Sequence, residues 1–167
     1  EIHKERANAI VVSGRILKTL QDEVGICLID LNGGLMDNAI PREVTMVLAV
    51  KEGTEKALEE AVEKWDGILK KEYRTSDPGI TLTLSKKGSG AVQALDRRSL
   101  VKVLLFLRNI PHGIQNRSMD IPGLVETSLN PGIMKLVKAK AADMEADAMQ
   151  EEAEPYFQVS FSVRSSV

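Results

Sequence analysis

Apolar positions along this chain recur in two periods, one helical and one extended, and the alternation of the two sets out the elements. In residues 2–21, Ala7, Ile10, Val11, Gly14, Leu17 and Leu20 recur at three- and four-residue steps, which predicts a helix. Gly14 lies on that face. A glycine costs helix stability, so it is expected to mark a close approach by another element. The run Gly25–Leu31 is continuously apolar with a β-branched bias, apart from Asp30, and suits a strand covered on both faces, with a buried helix turn as the alternative that periodicity leaves open. Val44, Met46, Leu48 and Val50 alternate with Thr45, Val47 and Ala49. They predict a second strand, antiparallel to the first because the two are close in sequence.

Glu52–Arg74 carries the clearest helical pattern, with Leu58, Ala61, Val62, Trp65, Leu69 and Tyr73 on one face. Thr54 is the expected N-cap, Glu55, Glu59 and Glu60 load the first turns, and Lys70, Lys71 and Arg74 the last. Ser76-Asp77-Pro78-Gly79 breaks the helix, and Ile80, Leu82 and Leu84 then predict a short half-buried strand. A third helix starts at Asp96 or Ser99 and ends near Ile110. Leu100, Val103, Leu104 and Leu107 line it, Val101, Leu105 and Phe106 thicken that face, and the helix is expected to be largely buried. Residues 114–123 read as loop. Residues 124–130 and 133–137 read as one strand interrupted at Pro131-Gly132, where a bulge or an edge position is expected because Pro cannot donate a ladder bond. Phe157, Val159, Phe161 and Val163 alternate with Gln158, Ser160, Ser162 and Arg164 as a final half-buried strand. The fold class that follows is α+β, an antiparallel sheet with helices packed mainly on one face. Residues 139–154 stand apart: rich in helix formers and acids and poor in large apolar residues, they predict an acidic helical or mobile insertion.

Totals narrow the function classes. The 167 residues suffice for one domain, 1–167, with a real core. A net charge of −2 and 4% aromatic residues argue against a nucleic-acid partner held by bulk charge or base stacking. The apolar stretches are too short to span a bilayer, so no membrane partner is expected. The single Cys27 rules out an internal disulfide, points to a reducing compartment, and reads as a buried structural thiol. The charged start, Glu1-Ile2-His3-Lys4, has neither an initiator Met nor a signal sequence, and the chain reads as a piece cut from a longer protein.

Few residues invite chemistry. The two histidines, His3 and His112, have no ligand-spaced partners, so no metal site is expected within the chain. There is no Gly-x-Ser-x-Gly elbow, and Gly88-Ser89-Gly90 lacks the lysine of a phosphate loop. The stretch Asn32–Glu43, between the first two strands, is longer than a hairpin turn requires. Asn38 at its tip suits either a turn residue bonding its own backbone or a polar contact for a ligand. Arg164, at the polar end of the last strand, suits either a solvated edge charge or a fork of donors for a carboxylate.

Five stretches taken in order carry a family resemblance: Glu1-Ile2-His3-Lys4-Glu5-Arg6-Ala7-Asn8-Ala9, Asn32-Gly33-Gly34, Asn38-Ala39-Ile40-Pro41-Arg42-Glu43, Val125–Asn130 and Ser162–Ser165. Together they resemble the lid, or dimerisation, domain of the aminoacyl-histidine dipeptidases, in the dinuclear zinc peptidase group that includes carnosine-cleaving enzymes. The resemblance implies an excised lid whose parent, a cytoplasmic homodimer, hydrolyses Xaa-His dipeptides with two Zn²⁺ in a separate catalytic domain. It implies no catalytic residue and no metal ligand within this chain. It assigns substrate contacts to Asn38 and Arg164, and supporting roles to Asn130 and His3, although the histidine that the family uses precedes this chain. The acidic 139–154 stretch departs from the shorter turn the family has there. The residues alone leave a second reading open, a non-catalytic α+β module that self-associates or holds a small molecule.

Overall fold

The computed structural model describes residues 2–137 and 155–166. The acidic insertion expected at 139–154 lies outside these described residues.

A short 3-10 turn, Ile2–Lys4, precedes helix α1, Ala9–Glu23. The helix begins later than its apolar pattern, because the Asn8 side chain accepts from the backbone N–H groups of Ile10 and Val11 and caps it there. Val24 and Gly25 both donate to the Leu20 carbonyl at the other end, and Gly25, at φ 78°, takes the left-handed conformation that stops the helix. α1 is the centre of the fold. Ile10, Ile16, Leu17 and Leu20 are buried in one core with residues of α2 (Glu55–Glu72), α3 (Arg97–Asn109) and the sheet. Gly14 does mark a close approach, for a Cβ there would lie 2.6 Å from the Leu107 Cβ of α3.

The sheet is five-stranded and antiparallel: β1 Cys27–Gly33, β2 Val44–Ala49, β3 Gly113–Arg117, β4 Val125–Val137 and β5 Tyr156–Ser165. β4 is its spine. β5 pairs along it from Thr127 to Val137. β3 pairs with the first part of β4, Val125 to Leu129, and β1 meets it at Met134. Residues 127–129 and Met134 each pair with β5 as well, so β1 and β3 lie end to end along the other edge. Between them, residues 130–133 pair with neither. The register of β4 against β5 shifts between Pro131 and Ile133, the irregularity expected from Pro131-Gly132.

Several expectations are corrected. β1 is not covered on both faces: Ile26, Leu28 and Leu31 are buried, whereas Cys27 is exposed and is not a buried thiol. Among the described residues the helices cover one side of an antiparallel sheet, and a bulge between Leu28 and Asp30 resets the alternation. The strand expected at Ile80–Leu84 does not form. Ile80 and Leu82 pack against the core, but the Leu82 N–H donates to Asp66 of α2 (2.8 Å) rather than to a strand. Conversely, β3 occupies the start of the expected 114–123 loop, its polar Gly-Ile-Gln-Asn-Arg sequence having hidden an edge strand. Thr54 precedes α2 without a side-chain cap bond. Its hydroxyl donates to the Lys51 carbonyl, and Glu55 reaches back to the Gly53 N–H instead. α3 is buried on Leu100, Val103, Leu104 and Leu107 only; Val101, Leu105 and Phe106 are exposed.

Candidate functional site

Residues 34–43 join β1 to β2 and fill the gap that β1 and β3 leave along β4. Gly34 has φ 78°, and a Cβ on it would overlap the Gly132 carbonyl. A Cβ on Gly132 would in turn overlap the backbone of Asp37. Loop and strand thus meet backbone to backbone, a contact open only to glycine. Three further bonds hold the loop: Gly34 N–H to the Glu43 carbonyl (3.3 Å), Ala9 N–H to the Pro41 carbonyl (3.1 Å), and Asn130 Nδ2 to the Ala39 carbonyl (2.8 Å). Asn130 itself accepts from Asn8 Nδ2 (3.0 Å).

Asn38 lies at the tip of this loop, exposed, and its side chain makes no hydrogen bond among the described residues. The turn role open to it from sequence, a bond to its own backbone, is therefore not used. On β5, Arg164 stands directly across from Ser128 and Ser162 directly across from Asn130, and cross-strand partners point to the same face. Arg164 is exposed, and it too makes no ion pair among the described residues.

Asn38, Asn130, Ser162 and Arg164 border one broad concavity, with Arg6 and Arg42, that also runs along β2, α2 and residues 79–92. Its volume, about 2360 Å³, exceeds the ~300–1,000 Å³ of an enclosed small-molecule pocket, so it is an open face rather than a closed site. An arginine fork and a free amide on such a face can hold a carboxylate and a peptide-like polar group. His3 is not brought to them: it is exposed on the 3-10 turn and does not line the concavity. Among the described residues no group of three or more His, Cys, Asp or Glu side chains could hold a metal ion. These residues do not fit a zinc site.

Two features were missed in the sequence. Asn8 is a link between helix and loop, although an Asn just before an apolar-periodic run is a legible cap signal. The contact of Gly132 with Asp37 joins residues far apart in the chain and has no local signature.

Residues 2–77 match the family described as the peptidase dimerisation domain. The chain is 33% identical over 136 residues to the cytosol non-specific dipeptidase of Escherichia coli (strain K12), covering 81% of this chain and 28% of that protein. The crystal structure of aminoacylhistidine dipeptidase from Vibrio alginolyticus superposes with a TM-score of 0.81 at 25% identity, over 99% of this chain and 30% of that one. This chain is a dimerisation domain of that peptidase group, and it spans less than a third of the length of either relative.

Proposed function

We propose that this domain is the substrate-clamping lid of a metal-dependent cytoplasmic dipeptidase that cleaves Xaa-His dipeptides. The observation that carries the reading is that Asn38 and Arg164, far apart in the chain, border the same broad concavity with their side chains unpartnered among the described residues. Arg164 offers a planar fork to the terminal carboxylate of a dipeptide. Asn38 offers both a donor and an acceptor to its polar groups. Holding both ends of a small substrate lowers the entropic part of the barrier for chemistry done elsewhere. The two Zn²⁺ that supply that chemistry belong to the catalytic domain of the parent enzyme.

The same domain is proposed to pair two subunits. Val101, Leu105 and Phe106 of α3 and Phe161 and Val163 of β5 are exposed. Phe106 and Phe161 touch edge to face with ring centroids 6.5 Å apart, which joins the two apolar strips into one surface. Among the described residues β5 pairs with β4 alone, which leaves its other edge as a surface for a second copy.

The test is steady-state kinetics of the full-length enzyme on a dipeptide panel. Arg164→Ala is expected to lower kcat/KM on the order of 100-fold, as loss of a charge-assisted bidentate contact does. An Arg164→Ala enzyme with unchanged kcat/KM would remove Arg164 from the site. Equal turnover of dipeptides with and without a C-terminal His would replace the Xaa-His assignment with a broad one.

A further inference from the structure

Beneath the Asn38 loop lie two buried asparagines whose bonds run in one direction. Asn8 Oδ1 accepts from the N–H groups of Ile10 (3.1 Å) and Val11 (3.2 Å), at the start of α1. Only Nδ2 then remains for the other side, and it donates to Asn130 Oδ1 (3.0 Å) and to the Pro131 carbonyl (3.1 Å). With its oxygen engaged, Asn130 donates Nδ2 to the Ala39 carbonyl (2.8 Å), one residue beyond Asn38. Each position needs a group that accepts on one side and donates on the other, which an amide does and a carboxylate or hydrophobe does not. Both side chains are buried, 7% and 8% exposed. Buried amides destabilise a fold unless each bond is made. Here all four bonds of Asn8 are made, Asn130 is held on both sides, and the last bond ends on the loop.

We propose that Asn8 and Asn130 form a directional relay from the N-terminus of α1 to the Ala39 carbonyl, and that both are positioning residues for Asn38. The proposal rests on the reading of Asn38 as a substrate contact. The relay enters the loop at the gap between β1 and β3, where no strand ladder could hold it, and the Ala9 N–H to Pro41 bond ties the same helix start to the far side of the loop. The orientation of the Asn38 amide is thereby referred to α1, the centre of the core.

The test uses Asn8→Asp and Asn130→Asp in the full-length enzyme. Asp is as good a helix cap as Asn, so Asn8→Asp keeps the cap of α1 while it replaces the donor by a carboxylate oxygen that faces the Asn130 and Pro131 oxygens. Asn130→Asp keeps the acceptor for Asn8 and turns a carboxylate toward the Ala39 carbonyl. Each is expected to lower kcat/KM on the order of 10- to 100-fold, the effect of a misplaced substrate contact. Neither is expected to lower it further when Asn38→Ala is already present. Amide hydrogen exchange should speed up at residues 36–40 while α1 stays protected. Should either aspartate variant not fold, Asn8→Ser, whose hydroxyl also caps, takes its place with the same expectations. Unchanged loop exchange, or losses that add fully to that of Asn38→Ala, would overturn the relay. An Asn38→Ala enzyme with unchanged kcat/KM would instead overturn the reading of Asn38, and with it the purpose of the relay. Unchanged loop exchange beside a working Asn38 would overturn the relay alone.

Discussion

Gly132 packs against the backbone of Asp37 so closely that a Cβ on it would overlap the Asp37 carbonyl, and neither partner can yield as a flexible side chain would. Gly132 sits at the β4 irregularity and Asp37 immediately precedes Asn38, so the bulge and the loop tip share one contact. Gly132→Ala must therefore shift either the strand or the loop. The expected cost is about 1–3 kcal/mol of stability, as for other overpacked sites. In the full-length enzyme kcat/KM should fall on the order of 10-fold or more, because the displaced segment carries Asn38. Urea unfolding and steady-state kinetics on the same preparation would check both. A variant as stable and as active as the parent would show that the two backbones are not in tight contact.

How much of this could be read from the chain depends on the reach of each signal. Periodicity found α2 and its face, because Leu58, Ala61, Val62, Trp65 and Leu69 recur within a few turns and all end up buried. It found β5 as a strand but overstated its burial, since Phe161 and Val163 continue the alternation beyond the core and are exposed. The same excess misled on α3, where Leu105 and Phe106 look like core residues by hydrophobicity and lie on an outer face. Apolar character reports that a residue is to be covered, not what covers it. Ile80–Leu84 has the period of a strand, but a strand needs a partner with a matching edge, and the Leu82 N–H found Asp66 instead. For the site, Asn38 and Arg164 were legible as polar residues at a loop tip and a strand end. That they line one face follows from the pairing of β4 with β5 and from the loop filling the gap along β4, which local sequence does not encode. Asn8 and Asn130 are 122 residues apart, and their bond was beyond any local pattern.

The exposed strip on α3 and β5 makes a prediction about assembly. Leu105, 60% exposed, belongs to this strip and lies away from the core. Leu105→Lys should cost the subunit within about 0.5 kcal/mol of stability, as surface changes do. If the strip is the self-association surface, the charge would be buried unpaired in each dimer and weaken it by several kcal/mol. Sedimentation velocity over a range of concentrations should then show the variant dissociating where the parent enzyme stays dimeric. A variant as dimeric as the parent would move the interface elsewhere.

Arg15 and Glu72 predict how stability changes with pH. The guanidinium of Arg15 on α1 makes a two-pronged pair with Glu72 at the end of α2, Nη1 to Oε1 at 2.7 Å and Nη2 to Oε2 at 2.8 Å. That bonding, more than any other influence, holds the Glu72 carboxyl below its ordinary value of 4.5, and it raises Arg15 above a range in which it already stays charged. A carboxyl whose folded pKa is depressed contributes stability that is full above 4.5 and is lost as pH falls through the lower folded value. The two side chains are 30% and 40% exposed, so solvent screening limits the pair to roughly 1 kcal/mol or less. The stability gap between the parent chain and Glu72→Gln should therefore be open at pH 7 and close as the pH is taken below 4.5. Asp66, held low chiefly by its bond to Lys70, and Asp96, held low by Ser99, titrate in both proteins and drop out of the difference. Arg15→Ala should behave otherwise. Arg15 also lies over the Trp65 ring at 5.4 Å from its centroid, so part of its loss, about 0.5–1 kcal/mol, should persist in acid. Urea unfolding of the three proteins at pH 7 and pH 3 separates the two contributions. A gap for Glu72→Gln that stays the same at both values would show that the ion pair does not stabilise the packing of α1 against α2.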